Sequence, residues 1–117
     1  MDKFYGNFSC VEDVIGAFDI KEADLKDATI IAAVYDGGGY DGSAMVVFRK
    51  EGKLYEVHGS HCSCYGLEGQ WSPEETTLEA LQFRVDNGQM SCGYGEDFYK
   101  GLVRGLIDEM FEREVLN

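Results

Sequence analysis

The stretch that decides the fold runs from Thr29 to His58 and reads TIIAAVYDGGGYDGSAMVVFRKEGKLYEVH. It contains three apolar, β-branched runs, at 29–35, 43–49 and 53–58, separated by glycine-containing segments. Runs of this length and composition are typical of β-strands. The short KEG sequence between the second and third runs predicts a β-hairpin.

The third run alternates in a way that separates its two faces. Period-two geometry places Leu54, Glu56 and His58 on one face and Tyr55 and Val57 on the other. Because the first face mixes apolar and charged residues, we expect one face of this strand to be exposed to solvent.

Helix signals flank the three strands. Before them, Ser9 and Glu12 have the spacing of a capping box, and apolar residues follow at helical intervals. After them, Ser72 and Pro73 precede two glutamates, as at the start of a helix. A C-terminal helix is predicted by apolar residues at every fourth position, namely Phe98, Leu102, Leu106 and Met110.

These elements predict one α+β domain over residues 1–117. The expected architecture is a three-stranded, mainly antiparallel sheet with the helices packed against one face. The residues from Asp19 to Asp27 alternate charge with apolar side chains, which fits either a second helical turn or an irregular connection.

The composition limits the classes of partner. The 117 residues include 22 acidic and 10 basic side chains, for a formal net charge of −12, and 44% are hydrophobic, enough for a folded core. Direct binding of nucleic acid or anionic lipid relies on clustered Lys and Arg, whereas the basic residues here are dispersed. No apolar run of about 18 residues is present to span a membrane.

The first residues, MDKFYGN, lack the basic and apolar regions of a signal peptide, so we expect a cytoplasmic protein. In that reducing compartment the cysteines are expected as free thiols or metal ligands rather than as disulfides. They are Cys10, Cys62, Cys64 and Cys92.

The sequence HGSHCSC, from His58 to Cys64, brings two imidazoles and two thiols within seven residues. Zinc accepts both ligand types, which makes His58, His61, Cys62 and Cys64 candidate ligands, with Cys10 or Cys92 as distant ones. The spacing differs from that of familiar zinc modules, because adjacent His61 and Cys62 would need a contorted backbone. The alternative is a Gly/Ser loop whose thiols fill gaps beneath the sheet edge. No cofactor other than zinc is implied.

The same loop also allows nucleophilic catalysis. Cys62 or Cys64 would be activated by His58 or His61, with Glu56 orienting the imidazole. In cysteine hydrolases, however, the histidine normally comes from elsewhere in the fold, and a negative environment disfavours the thiolate. We therefore predict that the protein is not an enzyme.

Two aromatic side chains, Tyr65 and Trp71, flank the loop. Packing in the core is the ordinary role of a single tryptophan, while aromatic residues also dominate recognition surfaces. Both interpretations stay open, and both residues are candidate partner contacts.

The block HGSHCSCYGLEGQW, preceded by KLYEV and followed after one residue by PEETT, resembles a block in small uncharacterised proteins of tailed bacteriophages and prophages. The resemblance covers Ala28–Asp86, about half of the chain, and excludes the first and last predicted helices. It implies a phage-type accessory protein that works in a bacterial cytoplasm, without implying an activity.

In that setting the negative charge suggests a function. Our first hypothesis is a non-enzymatic inhibitor, or nucleic-acid mimic, of a host defence or transcription protein that normally binds nucleic acid. The expected contacts on the last helix are Asp108, Glu109, Glu112 and Glu114. A second set lies near the N-terminus: Glu12, Asp13, Asp19, Glu22, Asp24 and Asp27.

Three other interpretations compete with inhibition. A solvated acidic face without a partner is common in ordinary proteins. A zinc-binding or thiol protein would use the loop between His58 and Cys64. A structural adaptor without catalysis would use Trp71 and the exposed hairpin.

Overall fold

The computed structural model describes residues 4–36, 42–62, 66–77, 79–81, 83, 102, 104–105 and 107. Within them, one mixed sheet has five strands in the order β1-β2-β3-β4-β5. β1 runs parallel to β2, and the other neighbouring strands are antiparallel. The strands are β1 Phe4–Gly6, β2 Thr29–Asp36, β3 Gly42–Lys50, β4 Lys53–His61 and β5 Glu74–Thr76.

The α+β class and the three central strands are confirmed. β2, β3 and β4 occupy the three predicted runs, and β3 and β4 form the predicted hairpin. Its loop consists of Glu51 and Gly52, which have φ angles of 54° and 80°. Positive φ at both loop positions is typical of the tight turn that matches the twist of two antiparallel strands.

The predicted number of strands was wrong, because the sheet has two further strands at its edges. β1 pairs Phe4 with Ala33, and β5 pairs Glu74 with Glu56. Each is only three residues long, too short to show a period in the sequence. Their pairing depends on the strands beside them rather than on their own composition.

The predicted helix start at Ser72 and Pro73 was also wrong. Residues Glu74–Thr76 are in β5, and helical structure follows Thr77 instead. The Thr77 Oγ1 accepts the backbone N–H of Ala80 at 3.0 Å, as an N-cap side chain does. The two glutamates suit a first helical turn, but pairing with β4 takes precedence over that local preference.

Both faces of the sheet are covered, so the prediction of helices on one face was wrong. The first helix, α1, spans Val11–Phe18. The side of the sheet on which Val14 and Phe18 of this helix pack is called the α1 face, and the side on which the helical residues Leu81 and Leu102 pack is called the aliphatic face. The prediction that one face of the third strand is exposed to solvent was wrong for most of its length, since Val57 on one side and Leu54 and Glu56 on the other are buried. On the second side, exposure begins at His58. β2 is apolar on both sides and therefore requires cover on both.

Helix α1 begins one residue later than the capping-box spacing predicted. Cys10 is the N-cap, and the carboxylate of Asp13, rather than of Glu12, accepts the backbone N–H of Ser9 at 2.8 Å. The helix ends at Asp19, whose φ of 54° is left-handed.

The segment that follows α1 resolves the alternative left open by the sequence. A 3₁₀ helix spans Glu22–Leu25, and Leu25 packs into the α1 face. The ammonium group of Lys50 donates to the carbonyl of Asp24 at 3.4 Å, which ties this short helix to β3. No helix in the described part of the chain has the length and apolar character needed to span a bilayer.

Candidate functional site

The histidines predicted to share a loop lie instead in a strand. β4 continues to His61, so the residues from His58 to His61 are extended and paired with β3. Residues three apart in a strand point to opposite faces of the sheet. His58 therefore lies on the aliphatic face and His61 on the α1 face, and their imidazoles diverge.

His58 pairs with a buried carboxylate on the aliphatic face. Its Nε2 lies 2.7 Å from Oε1 of Glu56, two residues away on the same strand. The Glu56 residue is 5% exposed, whereas the His58 side chain is 45% exposed. The surface imidazole thus supplies a hydrogen bond to a carboxylate that burial would otherwise disfavour.

His61 pairs with a phenol on the α1 face. The Tyr35 hydroxyl lies 2.9 Å from His61 Nδ1, and the two rings are nearly perpendicular. This contact crosses β3 at Gly42 and Ala44, and a Cβ at Gly42 would overlap the His61 ring. The small residues of β3 therefore make room for a hydrogen bond between β2 and β4.

The phenol is surrounded so that it keeps its proton. Burial raises the pKa of Tyr35, and the negative charge of Glu68 raises it further. The backbone N–H groups of Glu68 itself and of Gly66 lower the pKa of the Glu68 carboxyl, so this group stays charged. A phenol that keeps its proton can donate to Nδ1 or accept a proton from it, so the direction of this hydrogen bond follows the tautomer of His61.

The predicted zinc ligands do not converge in the part of the chain that the structure describes. His58 and His61 lie on opposite faces, and no group of three or more His, Cys, Asp or Glu side chains there could hold a metal ion. Cys62 follows the end of β4 and is half-buried, and Cys10 is a free thiol at the start of α1. Cys64 and Cys92 lie outside the described residues.

The nucleophile interpretation is met in one part. The predicted hydrogen bond between Glu56 and His58 is present. Cys62 lies beyond the strand that carries this pair, and Cys64 is outside the described residues. Glu56 therefore orients the imidazole of His58, but the described residues show no hydrogen bond from this imidazole to a thiol.

The acidic residues near the N-terminus are described in full. All six are exposed, and none is in an ion pair with a lysine or arginine within the described chain. Two of them accept local backbone N–H groups: Asp13 from Ser9 at 2.8 Å and Asp24 from Lys21 at 3.0 Å. The set predicted on the last helix, Asp108, Glu109, Glu112 and Glu114, lies outside the described residues.

Trp71 is half-buried against the α1 face. It stacks on Phe48 with a centroid distance of 5.7 Å and meets the edge of Phe18 at 5.2 Å. These contacts are those expected of a core residue. Because part of the Trp71 surface is exposed, its contact with a partner stays a prediction. Tyr65 lies outside the described residues.

Sequence reasoning missed Tyr35, Glu68 and Gln70, three polar side chains that organise one end of the α1 face. Tyr35 is the next-to-last residue of the apolar strand β2, and its polar hydroxyl group at that position was the available signal. Glu68 and Gln70 lie in a segment without period, which offers none. Comparison of the chain with protein-family models, curated proteins and solved structures finds no match.

Proposed function

We propose that this protein is a non-enzymatic binding protein that presents carboxylates to a basic, nucleic-acid-binding host protein and inhibits it as a nucleic-acid mimic. The supporting observation is that all six acidic side chains between Glu12 and Asp27 are exposed, without an ion pair to Lys or Arg in the described chain. Exposed charges that are not neutralised locally attract an oppositely charged partner and raise its association rate.

The backbone that carries these carboxylates is ordered. Glu12 and Asp13 lie in the first turn of α1, and Asp19 ends the helix in a left-handed conformation. Asp27 also has a positive φ, of 63°, just before β2 begins. A preordered surface loses less conformational entropy on binding than a flexible acidic tail, which favours recognition over simple solvation.

The segment is acidic even when its own basic residues are counted. It contains six acidic residues and two lysines, Lys21 and Lys26, so its formal charge is 2 − 6 = −4. The bacterial, phage-type setting of the proposal rests on the resemblance of the HGSHCSCYGLEGQW block. The acidic residues predicted on the last helix are proposed as further carboxylate contacts with the same partner: Asp108, Glu109, Glu112 and Glu114.

The test uses two variants with equal net charge. The first neutralises the four acidic residues of the segment that accept no backbone hydrogen bond from the described residues: Glu12→Gln, Asp19→Asn, Glu22→Gln and Asp27→Asn. The control neutralises four exposed acidic residues elsewhere: Glu51→Gln, Glu74→Gln, Glu75→Gln and Glu79→Gln. Each variant changes the formal charge from −12 to −12 + 4 = −8.

Immobilised wild type, first variant and control would be exposed to bacterial lysate at low and high salt, and captured proteins tested for displacement from duplex DNA. We expect the wild type and control to capture a DNA-binding protein at low salt and release it at high salt, and the first variant to lose it. Equal loss in both variants would show that net charge, not this segment, drives capture. Absence of any salt-sensitive, DNA-competitive capture would refute mimicry.

A further inference from the structure

The segment from Gly66 to Pro73, here called the strap, precedes β5 and meets the outer edge of β4 where Gln70 bonds to the backbone of Ser60. Backbone pairing between these strands covers only Leu54–Glu56 and Glu74–Thr76. Continuing the same antiparallel register by four residues, from Glu56 to Ser60 and from Glu74 to Gln70, places Gln70 opposite Ser60. The strap is thus aligned with β4 but not paired with it as a strand.

Gln70 restores the missing pairing with its side chain. Its Oε1 accepts the backbone N–H of Ser60 at 2.9 Å, and its Nε2 donates to the Ser60 carbonyl at 2.6 Å. Directly opposed residues in an antiparallel pair exchange the same two hydrogen bonds through their backbones. The second proton of Nε2 is donated to the carbonyl of Gly66 at 2.7 Å, which uses every donor of the carboxamide.

The backbone leaves the ladder where the strap packs into the core. Pro73 has no N–H to donate, and Trp71 turns inward to stack on Phe48. Leu67 is 1% exposed and lies with Phe18 against Gly59 of β4. The strap is therefore held by two apolar side chains and one carboxamide.

We propose that the strap is a latch that opens as a unit from the α1 face, with the Gln70 carboxamide as its catch. Opening breaks the two hydrogen bonds between the Gln70 side chain and Ser60 and withdraws Leu67 and Trp71. The bond from Gln70 to Gly66 stays within the strap, and the pairing of β2, β3 and β4 is retained. The strap is bonded within itself, because the N–H of Gln70 donates to the carbonyl of Leu67 at 3.1 Å across a turn in which Gly69 has a φ of 80°, a conformation that glycine adopts without strain. The opened α1 face uncovers apolar surface beside the acidic segment, a property independent of the proposed function.

Hydrogen exchange at single amides tests the latch. The Ser60 amide reports on the catch, and the Val57 amide, in the pairing of β4 with β3, reports on the sheet. Gln70→Ala removes all three hydrogen bonds, and Ser72→Ala, an exposed position on the same strap, is the matched control. We expect Ser60 exchange to accelerate about tenfold or more in Gln70→Ala, with Val57 exchange changing no more than in Ser72→Ala.

Fluorescence supplies a second readout, because Trp71 is the single tryptophan of the chain. Quenching of Trp71 by acrylamide should rise in Gln70→Ala and stay at the wild-type level in Ser72→Ala. Equal acceleration of Ser60 and Val57 would mean that the strap opens only when the protein unfolds, which overturns the latch. Unchanged Ser60 exchange would overturn it as well.

A gentler variant covers the case in which Gln70→Ala does not fold. Gln70→Glu keeps the shape and the acceptor for the Ser60 N–H but replaces the donor to Ser60 and Gly66 by a second oxygen. We expect Trp71 quenching to rise in this variant too, while the rate of hydrogen exchange at the Val57 amide stays at its wild-type value. Quenching equal to that of the wild type would refute the role of the carboxamide.

Discussion

The α1 face and the aliphatic face of the sheet bury side chains of the same three central strands, yet their polar pairs differ in chemistry. On the α1 face, a neutral phenol at Tyr35 bonds to His61 beside a cluster rich in aromatic rings. On the aliphatic face, the buried carboxylate of Glu56 bonds to the half-exposed His58. A strand that is covered on both sides can carry polar groups only where a hydrogen-bond partner reaches them. Removing that partner costs more free energy when the buried group is charged than when it is neutral.

The largest expected effect tests how much the packing of α1 against the strap contributes to the free energy of unfolding. Phe18 is 1% exposed and contacts Trp71, so Phe18→Ala should lower the free energy of unfolding by about 3–5 kcal/mol. Urea denaturation measures this loss. Ile107→Ala, at a helical position that is 54% exposed, is the control and should cost less than about 1 kcal/mol. Equal losses at the two positions would contradict this account of the α1 face.

The second effect compares the polar pairs directly. His58→Ala removes a hydrogen bond from a buried carboxylate and should cost about 1.5–3 kcal/mol, whereas His61→Ala removes one from a neutral phenol and should cost about 0.5–1.5 kcal/mol. Chemical denaturation of both variants at neutral pH gives the comparison. If His61→Ala were the more destabilising variant, charge would not be what distinguishes the two faces.

A third effect is confined to the α1 face and appears at alkaline pH. Because the pKa of Tyr35 is raised in the folded protein, this phenol keeps its proton above the unfolded value of 10.0. Its contribution to stability is complete below that pH and is lost as pH rises through the folded pKa. Tyr35→Phe should therefore lose less stability than the wild type between about pH 9 and 11, as measured by denaturation across that range. A parallel pH profile in the two proteins would argue against the burial of this phenol.

The smallest effect concerns the end of α1, where the aromatic cluster borders the acidic segment. Asp19 has a left-handed backbone, and the N–H of Ile20 bonds to Ile15 in the motif that glycine usually completes. Asp19→Gly should raise the free energy of unfolding by about 0.5 kcal/mol, because relief of backbone strain exceeds the added entropy of the unfolded chain. Thermal denaturation beside the charge-matched Asp19→Asn variant separates this effect from loss of the carboxylate. A destabilised glycine variant would show that the carboxylate, rather than the backbone, matters here.

The strands and the first helix were accessible to sequence reasoning because each carries its own periodic signal. The apolar run in β2 and the hairpin around Glu51 and Gly52 are local patterns, and they appear where they were predicted. The edge strands were missed because three residues contain no period, and Glu74–Thr76 carries the composition of a helix start. Pairing with β4 overrides that composition.

The candidate sites show the same division. Two imidazoles and two thiols close together in the sequence suggested one metal site, but their shared chain position did not imply a shared side of the sheet. Once β4 continues to His61, alternation separates His58 from His61 and sends each to a partner on its own face. Glu12 and Asp13, in contrast, are exposed because they lie on α1, whose apolar side chains Val14 and Phe18 face the core.

The sequence alone determined the α+β class, the three central strands, the hairpin turn and the amphipathic first helix. Each of these depends on residues that are close together in the chain: one or two turns of a helix, the residues of a hairpin turn, or the alternation within a single strand. The tertiary structure decided the edge strands, the cover on both faces, the divergence of His58 and His61, and the pairing of Gln70 with Ser60. These depend on hydrogen bonds and burial between segments distant in the chain, and a partner that arrives from elsewhere leaves no periodic trace in the local sequence.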